Sequence, residues 1–257
     1  TPKNIINENY FAKNANIIAV DIDKAELEEG IIEINNKINC DLRDFIPNLI
    51  NSYKGQQTST DKWVKKALLI KSKKHYIDGT IKSTKNYVSP YKFVEILCDI
   101  LPSQSVIVPD AGANLTWVMQ SYKHKRGQRI LSAWGNSPMG FSVAGAVGAR
   151  LATPDITVPV ISIIGDGGFQ FNIQELQTIV GNEIDIKIFI LNNRSYGNIV
   201  FGALNEFNRE FGNTEDTGYT VPDFLSVSKA YGIKTEKIDS NNEIDIKIKR
   251  ILEHKGP

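Results

Sequence analysis

The sequence predicts an α/β protein with a doubly wound, mostly parallel sheet, preceded by a partial α/β domain. Two apolar, β-branched runs at 157–164 and 185–191 flank a helical segment at 172–181, which is the pattern of a βαβ unit. Strand and helix patterns continue to alternate along 89–257. Such alternation is typical of a parallel sheet that is covered by helices on both faces.

The main domain, 89–257, is predicted to begin at Ser89 and Pro90, because Ser is a good helix N-cap and Pro suits the first helical position. Before the βαβ unit, the patterns predict a helix to Leu101, a strand at 105–109, a helix at 112–122, a strand at 129–133 and a helix at 140–151. After it, they predict a strand at 232–238 and a helix at 243–254. The segment 205–219 has no clear period and is predicted as a lid or a surface loop, with the lid preferred.

The first part of the chain carries less α/β character. An apolar strand pattern at 16–23 leads through a short helix to a longer one at 42–53. One clear strand with its helices supplies too little core for a whole domain, so 1–52 is predicted to be the C-terminal part of one. The polar, lysine-rich segment 53–88 is predicted as a linker that contains a helix at 61–74.

Composition narrows the class of protein. The 257 residues are 41% apolar and 23% charged with a net charge of +1, which is typical of a globular protein with a proper core. The balanced charge argues against nucleic acid or a membrane as a partner, and no apolar run is long enough for a transmembrane helix. Cys40 and Cys98 favour free thiols in a cytoplasmic protein and are too few for an iron–sulfur cluster.

Polar residues end both strands of the βαβ unit. Asp166 follows the first strand within a Gly-Asp-Gly-Gly run at 165–168, and Asn192-Asn193 follow the second. If the two strands are parallel neighbours, Asp166 and Asn193 lie side by side at the carboxyl edge, where open α/β sheets bind ligands. We expect a hard cation holding a diphosphate there.

The residue types suit Mg²⁺, which takes one or two carboxylates and completes its octahedron with neutral oxygens, water and phosphate. Asp166 supplies the carboxylate, Asn193 an amide oxygen and Ser195 a backbone carbonyl. Three glycines are predicted to let the backbone approach the phosphates closely, namely Gly165, Gly167 and Gly168. The structural alternative is that Asp166 caps a helix and that the two asparagines form a turn.

Gly-Asp-Gly, then a βα unit, then Asn-Asn resembles the fingerprint of thiamin-diphosphate-dependent enzymes of the acetolactate synthase, pyruvate decarboxylase and pyruvate oxidase type. The resemblance implies the thiamin-diphosphate-binding fold and, as Mg²⁺ ligands, Asp166, the Asn193 side chain and the Ser195 main-chain oxygen. It also implies that the following Tyr196 and Gly197 border the cofactor. It covers 89–257 firmly and 1–52 loosely.

The run Trp-Gly-Asn-Ser-Pro-Met-Gly at 134–140 resembles that family's turn before a helix of small residues. The resemblance implies that Met139 wedges between the two rings of the cofactor. It also implies that the Ser137 carbonyl and the Met139 amide bind the aminopyrimidine. Met suits a wedge, since its thioether is apolar and polarizable, although Met is ordinarily core filler.

A looser match lies at Gly112, Ala113 and Asn114, after the strand at 105–109. Backbone N–H groups and the Asn114 side chain are predicted to contact the diphosphate. An ordinary strand–helix turn in which Asp110 caps the following helix is an equally good interpretation.

The resemblance implies a portion of a 2-ketoacid decarboxylase or carboligase that acts as a homodimer or homotetramer, with 134–141 and 194–202 near the subunit boundary. In the family, a Glu of a separate pyrimidine-binding domain activates the cofactor. We therefore expect no catalytic residue in this chain, and expect the chain alone to be incomplete and inactive. Asn198 and Gly202 stand near positions where acetolactate synthases proper carry Met and Trp, which argues against branched-chain synthesis. The resemblance leaves FAD binding open.

Two alternatives stay open from the sequence. One is a Rossmann-type nucleotide-binding module, although the Gly-Asp-Gly-Gly run at 165–168 lacks the third glycine of that fingerprint. The other is a non-catalytic cofactor-binding subunit or fragment that needs a pyrimidine-domain partner. Titration with thiamin diphosphate, with and without Mg²⁺, distinguishes the Rossmann-type alternative from a thiamin-diphosphate site, since nucleotide binding of the NAD type needs no metal.

Overall fold

The computed structural model describes residues 11–12, 14–29, 32–54, 59–73 and 88–257. The chain divides into two compact units, Thr1–Ile70 and Lys71–Pro257. The division falls within the predicted linker 53–88. That linker contains the helix α3 (Asp61–Lys73), and the boundary between the two units lies inside this helix. The helix predicted at 61–74 is therefore confirmed.

The first unit contains β1 (Ile18–Asp21), α1 (Lys24–Glu28), β2 (Asn36–Asn39) and α2 (Leu42–Tyr53). β1 and β2 pair in parallel, and Asp side chains cap both helices at their first turns. The predicted strand and helices are confirmed, whereas β2 was not predicted. Ile38 is the only apolar residue of β2, so the strand has no hydrophobic alternation to reveal it.

The second unit holds the longer series of elements. In chain order these are α4 (Pro90–Ile100), β3 (Val106–Pro109), α5 (Ala113–Ser121), β4 (Arg129–Ile130), α6 (Phe141–Leu151), β5 (Val160–Gly165), α7 (Asp166–Phe171), α8 (Glu175–Gly181), β6 (Lys187–Leu191), α9 (Gly197–Phe207), a 3-10 helix (Glu215–Thr217), α10 (Phe224–Ala230) and α11 (Ile244–Glu253). Four strands form one parallel sheet in the order β4-β3-β5-β6. The predicted N-cap at Ser89 is confirmed by its side chain, which accepts the Lys92 N–H.

Two apolar clusters cover the two faces of this sheet. Along β5, Val160 and Ile164 belong to one cluster, whereas Ile161 and Ile163 belong to the other, as expected when successive side chains point to opposite faces. The first cluster is completed by α6, α7, α8 and α10, and the second by α4, α5 and α11. The predicted doubly wound parallel sheet is therefore confirmed. None of the helices in the described part of the chain is long and apolar enough to span a membrane.

Three local predictions in the second unit need correction. Residues 232–238 form no strand, because their backbone pairs with no neighbouring strand. Their apolar side chains still pack, Ile233 on one apolar cluster and Ile238 on the other. β4 pairs over two residues rather than the predicted five. The helix predicted at 172–181 begins later, as α8 at Glu175, and a separate helix, α7, begins directly at Asp166.

Candidate functional site

The candidate site lies at the carboxyl ends of β5 and β6. These strands are parallel neighbours, and Gly165 pairs in register with Leu191. Asp166 therefore leaves the sheet beside the Asn192-Asn193 turn, which confirms the adjacency predicted from the sequence. This is the edge at which open α/β sheets bind ligands.

Asp166 is a buried carboxylate, only 1% exposed. Its Oδ2 accepts a hydrogen bond from the Tyr219 hydroxyl at 3.1 Å, and the Ser195 backbone N–H also bonds to the carboxylate. Burial raises the pKa of Asp166, while these hydrogen bonds oppose the rise. No Lys, Arg or His among the described residues forms an ion pair with it. A buried carboxylate without a cationic partner is suited to a bound cation.

The turn after β6 presents the other predicted metal-binding residues. Arg194 adopts a positive φ of 54°, and its N–H is accepted by the Asn192 side chain at 3.1 Å. This leaves Asn193 exposed at the turn, with its amide nitrogen 3.5 Å from where a Cβ on Gly197 would lie. The Ser195 hydroxyl donates to the Asn213 carbonyl at 3.1 Å, which fastens the end of the turn.

Gly167 and Gly168 are glycines for a reason that the sequence did not indicate. A Cβ on Gly167 would lie 2.2 Å from the Tyr196 ring, and one on Gly168 would lie 2.3 Å from Asp110 Oδ2. These two side chains occupy the space that a Cβ would need, and contact of this backbone with phosphate stays a prediction. The absence of a Cβ at both positions is therefore explained by internal packing.

Gly165 and Gly112 differ from that pair. At Gly165 a Cβ would meet only Asn114 Oδ1, at 3.4 Å, and at Gly112 it would meet Asn114 Oδ1 and Asn198 Nδ2, at 3.8 and 4.0 Å. The Asn114 amide nitrogen is occupied, since it donates to the Asp110 and Ala111 carbonyls. The Asn114 amide oxygen thus lies between two bare glycine backbones, next to Ala113, the first residue of α5.

Asp110 caps a helix, but not the one that follows it in sequence. Its two carboxylate oxygens accept the backbone N–H groups of Gly140 and Ser142, each at 3.0 Å, at the start of α6. The prediction of a local cap on the next helix is corrected, because Asp110 is buried in the sheet edge and faces the neighbouring turn. Burial raises the pKa of Asp110 against the effect of these hydrogen bonds.

The turn that carries Met139 is consequently held on two sides. Besides Asp110, the Asn172 side chain after α7 donates to the Gly140 carbonyl at 2.8 Å. Met139 is half-buried, and the preceding Ser137 is exposed with a positive φ of 47°. Gly140 itself has a φ of 87°, a conformation that glycine adopts without strain.

Sequence reasoning missed several residues that shape this site. Tyr219 and Asn213 lie in a segment without motif or period, and Asn172 was predicted only as the first residue of a helix, so no local signal pairs them with the site. The segment 205–219 does reach it, through Tyr219 and through Asn213, whose carbonyl accepts the Tyr196 N–H at 2.9 Å. Its role as a moving lid stays a prediction.

The family described as "Thiamine pyrophosphate enzyme, C-terminal TPP binding domain" matches residues 110–257, more than half of the chain. The chain belongs to the thiamine pyrophosphate enzymes. The matched residues include Asp110, Asp166 and Asn193, which follow the ends of β3, β5 and β6. Membership decides against the Rossmann-type alternative.

Relatives along almost the whole chain are acetolactate synthases. "Acetolactate synthase 1, chloroplastic" of Zea mays is 30% identical over 255 residues, which are 96% of this chain and 39% of the relative. "Acetolactate synthase large subunit" of Lactococcus lactis subsp. lactis is 30% identical over 249 residues, 97% of this chain and 42% of the relative. "Probable acetolactate synthase large subunit" of Methanocaldococcus jannaschii is 32% identical over 253 residues, which are 95% of this chain and 41% of the relative. The chain spans about two fifths of the length of these relatives.

The donor set of the site fits the metal that accompanies thiamine pyrophosphate. The described residues contain no group of three or more His, Cys, Asp or Glu side chains placed to hold a metal ion. Asp166 thus stands as a single carboxylate, and the neutral oxygens of Asn193 and Ser195 belong to the turn after the neighbouring strand. That set is too poor in ligands for an all-protein cage, and it suits Mg²⁺ completed by water and phosphate oxygens.

Proposed function

We propose that residues 110–257 bind thiamin diphosphate together with Mg²⁺, and that the whole protein is an acetolactate-synthase-like decarboxylase or carboligase of 2-ketoacids. The observation that carries the proposal is the buried Asp166 carboxylate, which has no cationic partner among the described residues and is bonded to the Ser195 N–H. A bound cation would compensate this charge. Asp166, the Asn193 amide oxygen and the Ser195 carbonyl would hold the metal.

The remaining predicted contacts fit around that metal. Gly112 and Gly165 leave backbone free of side chains beside Asn114, where a diphosphate would lie. The Ser137 carbonyl and Met139 N–H belong to the turn held by Asp110 and would face the aminopyrimidine. Tyr196 and Gly197, at the start of α9, would border the cofactor near the metal. Thiamin diphosphate, when bound, supplies the nucleophilic carbon and electron sink for decarboxylation of 2-ketoacids.

Calorimetric titration with thiamin diphosphate tests the proposal. We expect binding that requires Mg²⁺ and that is lost in Asp166→Ala, whereas Asp245→Ala, which removes an exposed surface carboxylate of α11, should bind normally. Undiminished Mg²⁺-dependent affinity in Asp166→Ala would overturn the assignment. Binding without turnover of any 2-ketoacid by the full protein would favour the non-catalytic subunit instead.

We also propose that the protein assembles as a homodimer or homotetramer with 134–141 and 194–202 near the subunit boundary. Trp134 is 60% exposed and Phe201 69% exposed. Large apolar side chains at the rim of a site are typical of a surface that a partner covers. Phe141, the last residue of the first segment, instead packs against the core cluster that contains Val143 and Ala146.

A further inference from the structure

We infer that Tyr219 is a positioning residue that orients the Asp166 carboxylate for the metal, an inference that rests on the proposed function. Tyr219 is 6% exposed, and its hydroxyl donates to Asp166 Oδ2 at 3.1 Å. The terminal torsion of an Asp side chain is broad, so a carboxylate needs outside contacts to present one oxygen in a fixed direction. The Tyr219 hydroxyl supplies such a contact at Oδ2 and so limits the directions in which the carboxylate can face the cation.

The Tyr219 hydroxyl is itself oriented. The Gln170 side chain donates to it at 3.5 Å, which leaves the hydroxyl proton for Asp166. Gln170 belongs to α7, the helix that Asp166 begins. The hydroxyl therefore has a donor behind it and an acceptor in front, both on the same helix.

Tyr219 is also tied to the second half of the metal site. Its N–H donates to the Thr214 carbonyl at 2.8 Å, and Thr214 pairs with Ser195 in an antiparallel bridge. The Asn213 carbonyl accepts both the Tyr196 N–H and the Ser195 hydroxyl. Residues 213–219 thus connect Asp166 on α7 to the turn that presents the Ser195 carbonyl.

Ring packing fixes the distance between these two halves. The Tyr219 and Tyr196 rings lie 4.4 Å apart between centroids, and the Tyr196 ring occupies the space left by the missing Cβ of Gly167. The ring thereby holds the segment in place, whereas the hydroxyl orients the carboxylate. These two roles are separable, because Phe retains the first and loses the second.

The test is the Mg²⁺ affinity of the full protein at a fixed concentration of thiamin diphosphate, measured by calorimetry. Loss of a group that orients a metal ligand weakens metal binding by about 10-fold or more. We expect about a 10-fold weaker Mg²⁺ affinity in Tyr219→Phe, together with a lower melting temperature in the absence of metal, because the lost hydrogen bond joins two buried groups. A purely structural role of the hydroxyl would change the melting temperature and not the metal affinity.

Tyr231→Phe is the matched control, since Tyr231 packs against the core after α10 and should keep wild-type affinity. Gln170→Leu is a second variant that leaves Tyr219 in place, and its Mg²⁺ affinity should lie between wild type and Tyr219→Phe. Equal affinities in wild type and Tyr219→Phe, or an equal loss in Tyr231→Phe, would overturn the inference alone. Absence of Mg²⁺-dependent binding in the wild type would overturn the proposed function and this inference with it.

Discussion

The Asp110 carboxylate accepts the backbone N–H of Gly140 at 3.0 Å, although the two residues are 30 positions apart. Asp110 directly follows one strand of the sheet, and Gly140 is the N-cap of the helix that follows the Met139 turn. This hydrogen bond therefore joins a strand end at the candidate site to the turn expected to contact the aminopyrimidine. The relation makes Asp110 a support of the site rather than a local helix cap.

Asp110→Asn should destabilise the fold. Gly140 and Ser142 donate to different oxygens of the carboxylate, so Asn would place its NH₂ group against one of these N–H donors. A buried donor left without an acceptor costs about 1–3 kcal/mol. Urea unfolding followed by circular dichroism should show this loss in the free energy of unfolding, and an unchanged midpoint would refute the assigned hydrogen bonds.

Asp110 should also affect how stability depends on pH. Burial raises its pKa, so the folded state binds this proton at a higher pH than the unfolded chain does. Its contribution to stability is present in full below the ordinary Asp pKa and is lost as pH rises through the raised value. Acidification from neutral pH should thus widen the gap in unfolding free energy between wild type and Asp110→Asn. A gap that narrows in urea titrations at successive pH values would contradict the raised pKa.

Two helical glycines should respond oppositely to replacement by Ala. A Cβ on Gly168 would lie 2.3 Å from Asp110 Oδ2, whereas nothing lies within 4 Å of a Cβ on Gly148. Gly168→Ala should destabilise by about 1–3 kcal/mol through overpacking. Gly148→Ala, on the exposed side of α6, should stabilise by about 0.5–1 kcal/mol, since Ala loses less backbone entropy. Thermal unfolding of both variants tests this, and equal shifts would speak against the contact with Asp110.

Replacement of Phe201 should weaken assembly of the protein. This residue of α9 is 69% exposed beside the site, and a charged side chain there would oppose burial by a second copy. In sedimentation velocity we expect Phe201→Asp to shift the full protein towards smaller species. Ile246→Asp, which alters an exposed apolar residue of α11, serves as the control. A monomeric, fully active wild type would rule out the assembly that we propose.

The order of strands and helices in the second unit was largely predictable, because apolar periodicity is a local property. β5, β6 and the helices α6 and α8 follow patterns long enough to be predicted without tertiary context, whereas α7 and α9 were not predicted. β2 was not predictable, since Ile38 alone interrupts its polar residues. Residues 232–238 were predicted as a strand, yet Ile233 and Ile238 are only half-buried against the apolar clusters, and such packing of side chains does not require pairing of the backbone.

By itself, the sequence determined the parallel α/β class and the placement of Asp166 and Asn193 at neighbouring strand ends. Strand patterns and short motifs carry that information within a few residues of each position. Only the tertiary structure decided that Tyr219 reaches Asp166, 53 residues away, and that Gly168 makes room for Asp110. These contacts join irregular segments whose positions depend on how the whole core packs, and no local pattern encodes them.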